Sequence, residues 1–202
     1  MLGDAGVESF GDASTRWIAR RRSSLLDGPS KIFSSWADTW TIVAGTAGAV
    51  FALFPRRAWR SAMTLLVALV VEISAFLSVT YVVDRARPDV EPLSSVPSTG
   101  SWPSGHIAAA IVLYGGLALI AWPLVQRRWV RVTAAAVGGV PIPLAVGWSR
   151  WYRGLHHPTD LLGGVLLGCV ALYVGVLVAR RLFPDESAGR AEPAVAVQEA
   201  RR

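Results

Sequence analysis

Charge is what this sequence has little of: 17% of its 202 residues are Asp, Glu, Lys or Arg, where soluble domains carry about a quarter. The shortage argues against an ordinary soluble domain. The net charge of +6 is basic, but the arginines stand in short clusters between long apolar blocks. That placement suits membrane topology and not a nucleic-acid-facing surface. Cysteine is nearly missing, and Cys169, alone in an apolar run, excludes an internal disulfide. A basic stretch followed by an apolar one is absent from residues 1–15, so no cleavable leader is expected. Histidine is scarce too: His106, His156 and His157 are the three, and all fall in two short polar stretches.

Apolar residues are abundant, at 52%. Blocks at 59–83, 106–125, 129–149 and 159–180 are long enough to cross a hydrocarbon core of roughly 30 Å, which takes ~20 helical residues. A fifth block, 36–54, is weakened by Asp38 and several Gly and Thr. The expected fold is all-α, a polytopic transmembrane bundle of about five spans over residues 36–183. Residues 1–35 are expected to form an amphipathic interfacial segment, with Trp17, Ile18, Leu25, Leu26, Ile32 and Phe33 against lipid. The alternative is a re-entrant first span that leaves the N-terminus inside. Residues 184–202 mix Pro, Ala, Gly and charge without periodicity, as expected of a disordered cytoplasmic tail. The block at 129–149 holds Gly138, Gly139, Pro141 and Pro143 and should be kinked.

Arginines give the orientation. Arg56, Arg57, Arg60, Arg127, Arg128, Arg131, Arg180 and Arg181 gather at one side, which the positive-inside rule makes cytoplasmic. Tryptophans near the block ends suit the membrane boundary. The outward loops hold Arg85, Arg87, Arg150 and Arg153, against that rule. Arg153 is expected to face headgroups. Glu72 is the one acid deep in a clear span, and a carboxyl there is by default functional. Its alternative is a protonated side chain bonded to a neighbouring helix.

The outward loops carry nearly all the reactive groups. Pro103-Ser104-Gly105-His106 reads as the start of a helix, where free backbone N–H groups bind anions and glycine permits close approach. Ser149, Arg150, His156 and Asp160 fill the pattern SRxxxxxHxxxD. Pro158 starts a helix there, so Asp160 falls in its first turn. From there it is expected to reach back to one ring nitrogen of His156 and free the other for attack. Arg85 and Arg87, in Arg85-Ala86-Arg87-Pro88, present guanidinium forks suited to phosphate.

These three segments resemble the motifs of the type 2 phosphatidic acid phosphatase superfamily: KxxxxxxRP, PSGH and SRxxxxxHxxxD, in that order. The second and third match fully. The first matches at Arg87-Pro88, while Thr80 stands at the family's lysine position, with Arg85 as a replacement cation. The resemblance implies a metal-independent membrane hydrolase with no cofactor, acting on a lipid phosphate or diphosphate. In it His156 is the nucleophile, Asp160 orients it, and His106 is general acid and base. Arg87, Arg150, Ser104, Gly105 and Arg85 would bind the phosphoryl group. The expected setting is a bacterial-type cell membrane with the site on the extracytoplasmic face, with no nucleic acid and no obligate protein partner. Transfer of the phosphoryl group to an alcohol, or a His-lined membrane transporter, are the alternatives. His157 is expected to be a bystander.

Overall fold

The computed structural model describes residues 2–124, 127–134 and 138–184. Those residues form helices and no strand. In chain order they are α1 (Leu2–Ala19), α2 (Ser24–Ser35), α3 (Thr39–Leu53), α4 (Trp59–Val83), α5 (Gly105–Ala110), a π-helical segment (Ile111–Gly115), α6 (Gly116–Leu124), α7 (Arg128–Ala134), α8 (Pro141–Tyr152) and α9 (Pro158–Leu182).

Two of these, α4 and α9, are long and apolar enough to cross a membrane, at 25 residues each. At ~1.5 Å per residue such a helix exceeds a hydrocarbon core. α3 and the composite helix Gly105–Ala121 are apolar but shorter. α4 ends where Asp84 adopts a left-handed conformation, φ 39°, and its N–H caps the Thr80 carbonyl at 3.1 Å. The chain then runs without helix to Ser104.

α9 packs directly on α4 and α5 through small residues. Gly164, Gly168, Ala171, Gly175 and Ala179 are buried along one face, so backbones approach as small-residue stripes allow. A side chain at Gly175 would meet the Thr64 carbonyl oxygen at 2.5 Å, and one at Gly164 would overlap the Ser104 carbonyl and Ile107. Leu65, Ala68, Val112 and Leu172 fill the adjoining core. The opposite faces show Leu66, Val70, Leu162, Leu166 and Val170 outward, the arrangement of helices whose solvent is lipid.

The kink expected in the block at 129–149 falls where it was placed: α7 covers Arg128–Ala134, residues 138–139 are π-helical, Val140 is a turn, and α8 begins at Pro141. Pro141 and Pro143 supply no backbone N–H, so an uninterrupted ladder cannot form across them. Two expectations are corrected. The N-terminal segment does not simply lie against lipid. It forms α1 and α2, which dock on α8, with Thr15, Ile18, Ser30 and Ser34 buried. Trp17 stacks on Trp151 at 6.4 Å, and Phe33 meets Trp36 and Trp148 edge-on, while Leu25 and Ile32 stay exposed. Arg153 faces no headgroup. It is buried, donating to Ser30 Oγ at 3.2 Å and to the Leu93 carbonyl. The tail expected at 184–202 lies outside the described residues beyond Pro184.

Candidate active site

The turn between α8 and α9 sets the first half of the site. Arg150, in the last turn of α8, accepts on its carbonyl from Leu155 N–H at 3.0 Å. Gly154 sits at φ +74°, where any Cβ would be strained and would also strike Arg22 at 2.6 Å and Val90 at 2.7 Å. That reversal sends His156 inward. Pro158 then opens α9, with His157 as its N-cap.

Asp160 is completely buried and is held from several sides. Its Oδ2 accepts the His157 backbone N–H at 2.7 Å and lies 3.2 Å from His157 Nδ1. Its Oδ1 accepts from Arg85 Nη1 at 2.6 Å, and Arg85 also donates to Thr159 Oγ1 at 2.7 Å. Arg85 therefore neutralises Asp160 and does not line the cavity described below. Its expected place among the groups facing the phosphoryl group is therefore not where the cavity lies.

His156 is buried, and its Nδ1 lies 2.8 Å from the Ser101 carbonyl oxygen, against 3.7 Å to Asp160 Oδ2. A carbonyl only accepts, so Nδ1 carries the hydrogen and the Nε2 lone pair is free. The expected direct Asp160 contact is thus secondary to a backbone partner. Burial, reinforced by the Arg150 and Arg87 charges and opposed by Asp160, pushes the His156 imidazole down to about 4. It is neutral at neutral pH. His157 turns the other way, its Nε2 3.0 Å from Asp12 Oδ1 of α1.

The second half of the site comes from the loop after α4 and the start of α5. Arg87 donates to the carbonyls of Leu155 at 2.8 Å, Thr99 at 3.1 Å and Gly100 at 3.3 Å. Burial lowers its guanidinium from the usual value, with Asp160 opposing. Ser104 precedes α5 and its N–H donates to the Asp160 carbonyl at 2.9 Å, which joins the two halves. His106 follows, with Nε2 3.6 Å from Asp38 Oδ1. Arg150 donates to Ser34 Oγ at 2.9 Å.

A cavity of about 360 Å³ lies between these groups. His156, His106, Arg87, Arg150 and Gly105 line its polar end, and Ile42, Val43, Leu69, Ile73 and Phe76 line the rest. Ser104, Asp160 and Arg85 stand behind the lining. Thr80 does too, donating to the Gly100 carbonyl at 3.3 Å. Among the described residues no cluster of His, Cys, Asp and Glu is placed to hold a metal ion.

Five contributors are invisible in the motifs: the Ser101 carbonyl on His156, Asp38 on His106, Ser34 on Arg150, Asp12 on His157, and Glu72 in the cavity wall. Asp38 and Glu72 had a usable signal, being acids inside apolar blocks. The other three had none.

Known proteins share both the fold and the motifs. The PAP2 superfamily pattern matches residues 59–184. Phosphatidylglycerophosphatase B of Bacillus subtilis (strain 168) is 35% identical over 95 residues, covering 46% of this chain. That match spans 45% of the relative's own length. Undecaprenyl-diphosphatase of Sulfolobus acidocaldarius is 30% identical over 160 residues, 77% of this chain and 71% of that protein. The crystal structure of a PAP2 type phosphatidylglycerolphosphate phosphatase from Bacillus subtilis superposes with a TM-score of 0.76 at 25% identity, covering 89% of each chain. That of Aquifex aeolicus LpxE, at TM-score 0.60 and 22% identity over 80% of this chain and 92% of that one, is alike in fold alone. With its motifs converging on one cavity and its sequence matched from the start of α4 to the end of α9, the chain belongs to the PAP2 superfamily.

Proposed function

We propose that this chain is an integral membrane phosphatase that hydrolyses the phosphate ester or diphosphate of a lipid through a phosphohistidine. The single observation that carries the reading is that His156 and His106 line one cavity with Arg87 and Arg150.

The free Nε2 of His156 attacks phosphorus. An N–P bond forms, and the bond to the lipid oxygen breaks with its electron pair on that oxygen. His106 gives this oxygen a proton. His106 then takes a proton from water as the water oxygen attacks phosphorus. The N–P bond breaks, inorganic phosphate leaves, and both histidines return to their starting states. Arg87 and Arg150, with the Gly105 N–H, neutralise the equatorial oxygens, since positioning and charge stabilisation dominate phosphoryl transfer. Arg87 Nε and Arg150 Nε, on two residues of the cavity lining, are buried without a partner. Unpaired buried donors call for an explanation, and a three-oxygen anion supplies one.

The apolar cavity wall suits a substrate whose tails remain in the bilayer: phosphatidic acid, phosphatidylglycerol phosphate or a polyprenyl diphosphate. The bundle is read as five spans, with α3, the α5–α6 helix and the α7–α8 pair completing α4 and α9. The site faces the extracytoplasmic side of a bacterial-type cell membrane. Thr80, engaged with Gly100, supplies no cation, so Arg87 and Arg150 carry the anion alone.

The test is purified protein in lipid micelles, assayed for phosphate release from these three lipids. Chelator-insensitive release, abolished in His156→Ala, is the expected result. Release from none of them, or undiminished release by His156→Ala, overturns the reading.

A further inference from the structure

Glu72 is the one carboxyl in the wall of the catalytic cavity on α4. It is 3% exposed, and among the described residues it has neither a hydrogen-bond nor an ion-pair partner. No described residue of a neighbouring helix bonds to it. A polar group buried at this depth costs free energy unless something pairs with it, and its neighbours in the wall, Leu69, Ile73 and Phe76, are apolar. Among the described residues none pairs with it, and its side chain borders the cavity.

Its depth says which part of a substrate it meets. A Cβ at Gly105 would touch the Phe76 ring at 3.0 Å, so Phe76 lies level with the start of α5 and the anion-binding groups. Glu72 is one helical turn further into the bundle, roughly 6 Å. His156, His106 and Glu72 line the same cavity, so a substrate with its phosphoryl group at the polar end has the rest of that cavity, Glu72 included, for its leaving group. A carboxyl accepts a hydrogen bond whether or not it is protonated. An anion beside it is tolerated only in the protonated form. The complementary group is a neutral hydrogen-bond donor.

We propose that Glu72 is a specificity-determining residue that selects lipid phosphates whose leaving group carries a free hydroxyl within a few bonds of the scissile oxygen, as a glycerol headgroup does, over polyprenyl diphosphates. The inference rests on the phosphatase reading above. A site built to pair with a hydroxyl rejects an analogue lacking it, because the site's own polar group is then left bare.

The experiment uses the full chain in lipid micelles and three substrates: phosphatidylglycerol phosphate, the same lipid with the free hydroxyl of its leaving glycerol replaced by hydrogen, and a polyprenyl diphosphate. kcat/KM is measured for the unaltered chain, Glu72→Gln and Glu72→Leu. The unaltered chain is expected to favour the hydroxyl lipid over its deoxy analogue by about tenfold, the factor one unmade hydrogen bond produces. Glu72→Gln, still an acceptor, keeps most of that ratio, and Glu72→Leu brings it to within about twofold of one. A chain that hydrolyses both lipids equally overturns the inference while leaving the phosphatase reading intact, even where Glu72→Leu fails to fold. A preference that survives Glu72→Leu also overturns it. Release from none of the three substrates overturns the phosphatase reading, and this inference with it.

Discussion

The Asp160–Arg85 pair gives the sharpest structural prediction. Asp160→Asn keeps the size of the side chain but removes the charge that Arg85 Nη1 meets at 2.6 Å. It also weakens the acceptor for the His157 N–H at 2.7 Å. Removing one partner of a buried ion pair costs roughly 3–5 kcal/mol because the other charge is left bare. Arg85 keeps 14% exposure, so water recovers part of that, and the lower end, about 3 kcal/mol, is the expected loss. For a chain of this size each kcal/mol moves Tm by roughly 2–4 °C, which gives a fall of roughly 6–12 °C. The assay is thermal unfolding in detergent, followed by intrinsic tryptophan fluorescence. Arg85→Met should cost a similar amount by baring Asp160. The double variant should be less destabilised than the sum of the two, since groups in direct contact couple. A fall under about 2 °C for Asp160→Asn, or strict additivity, refutes the reasoning.

Other expectations concern the same turn. His157→Ala should retain most activity while His156→Ala loses it, because His157 faces Asp160 and Asp12 and not the cavity; phosphate release by the two purified variants decides it. The acid-side fall of kcat/KM that reports the nucleophile should lie near the lowered His156 value of about 4, not near the ~6.5 of a free imidazole. Because that histidine is held neutral in the folded chain, the unfolded chain alone takes up its proton between those values. Stability should therefore be full above pH ~6.5 and decline as pH falls towards 4; thermal scans across that range check the sign. Gly154→Val should destabilise by at least ~1 kcal/mol in denaturant titration, since φ +74° and the Arg22 contact both oppose a side chain.

Much of this was legible in the sequence, for identifiable reasons. α4 and α9 announce themselves as unbroken apolar runs. The PSGH and SRxxxxxHxxxD motifs mark His106, Arg150, His156 and Asp160 because spacing along one helix start is local information. What was not legible is non-local. The Ser101 carbonyl is a backbone atom, which every residue has, so nothing in residue type marks it as the partner of His156. Arg85 and Arg87 look alike in the chain, and only the fold sends one to Asp160 and the other to the cavity. Ser30 and Ser34 read as polar positions on an interfacial helix, yet they are buried against the arginines of α8 and its turn. Hydropathy averages over Pro141 and Pro143 in the block at 129–149, so it marks the block without marking where α8 begins.

Hydrolysis by this route requires that His156 Nε2 take the phosphoryl group. Millisecond quenching of the purified chain with a lipid phosphate, followed by digestion at alkaline pH and mass spectrometry, reads this directly. The added phosphoryl mass should sit on the His156 imidazole, be lost on acid treatment, and vanish in His156→Ala. A label on His157, or turnover at full rate by His156→Ala, would contradict it.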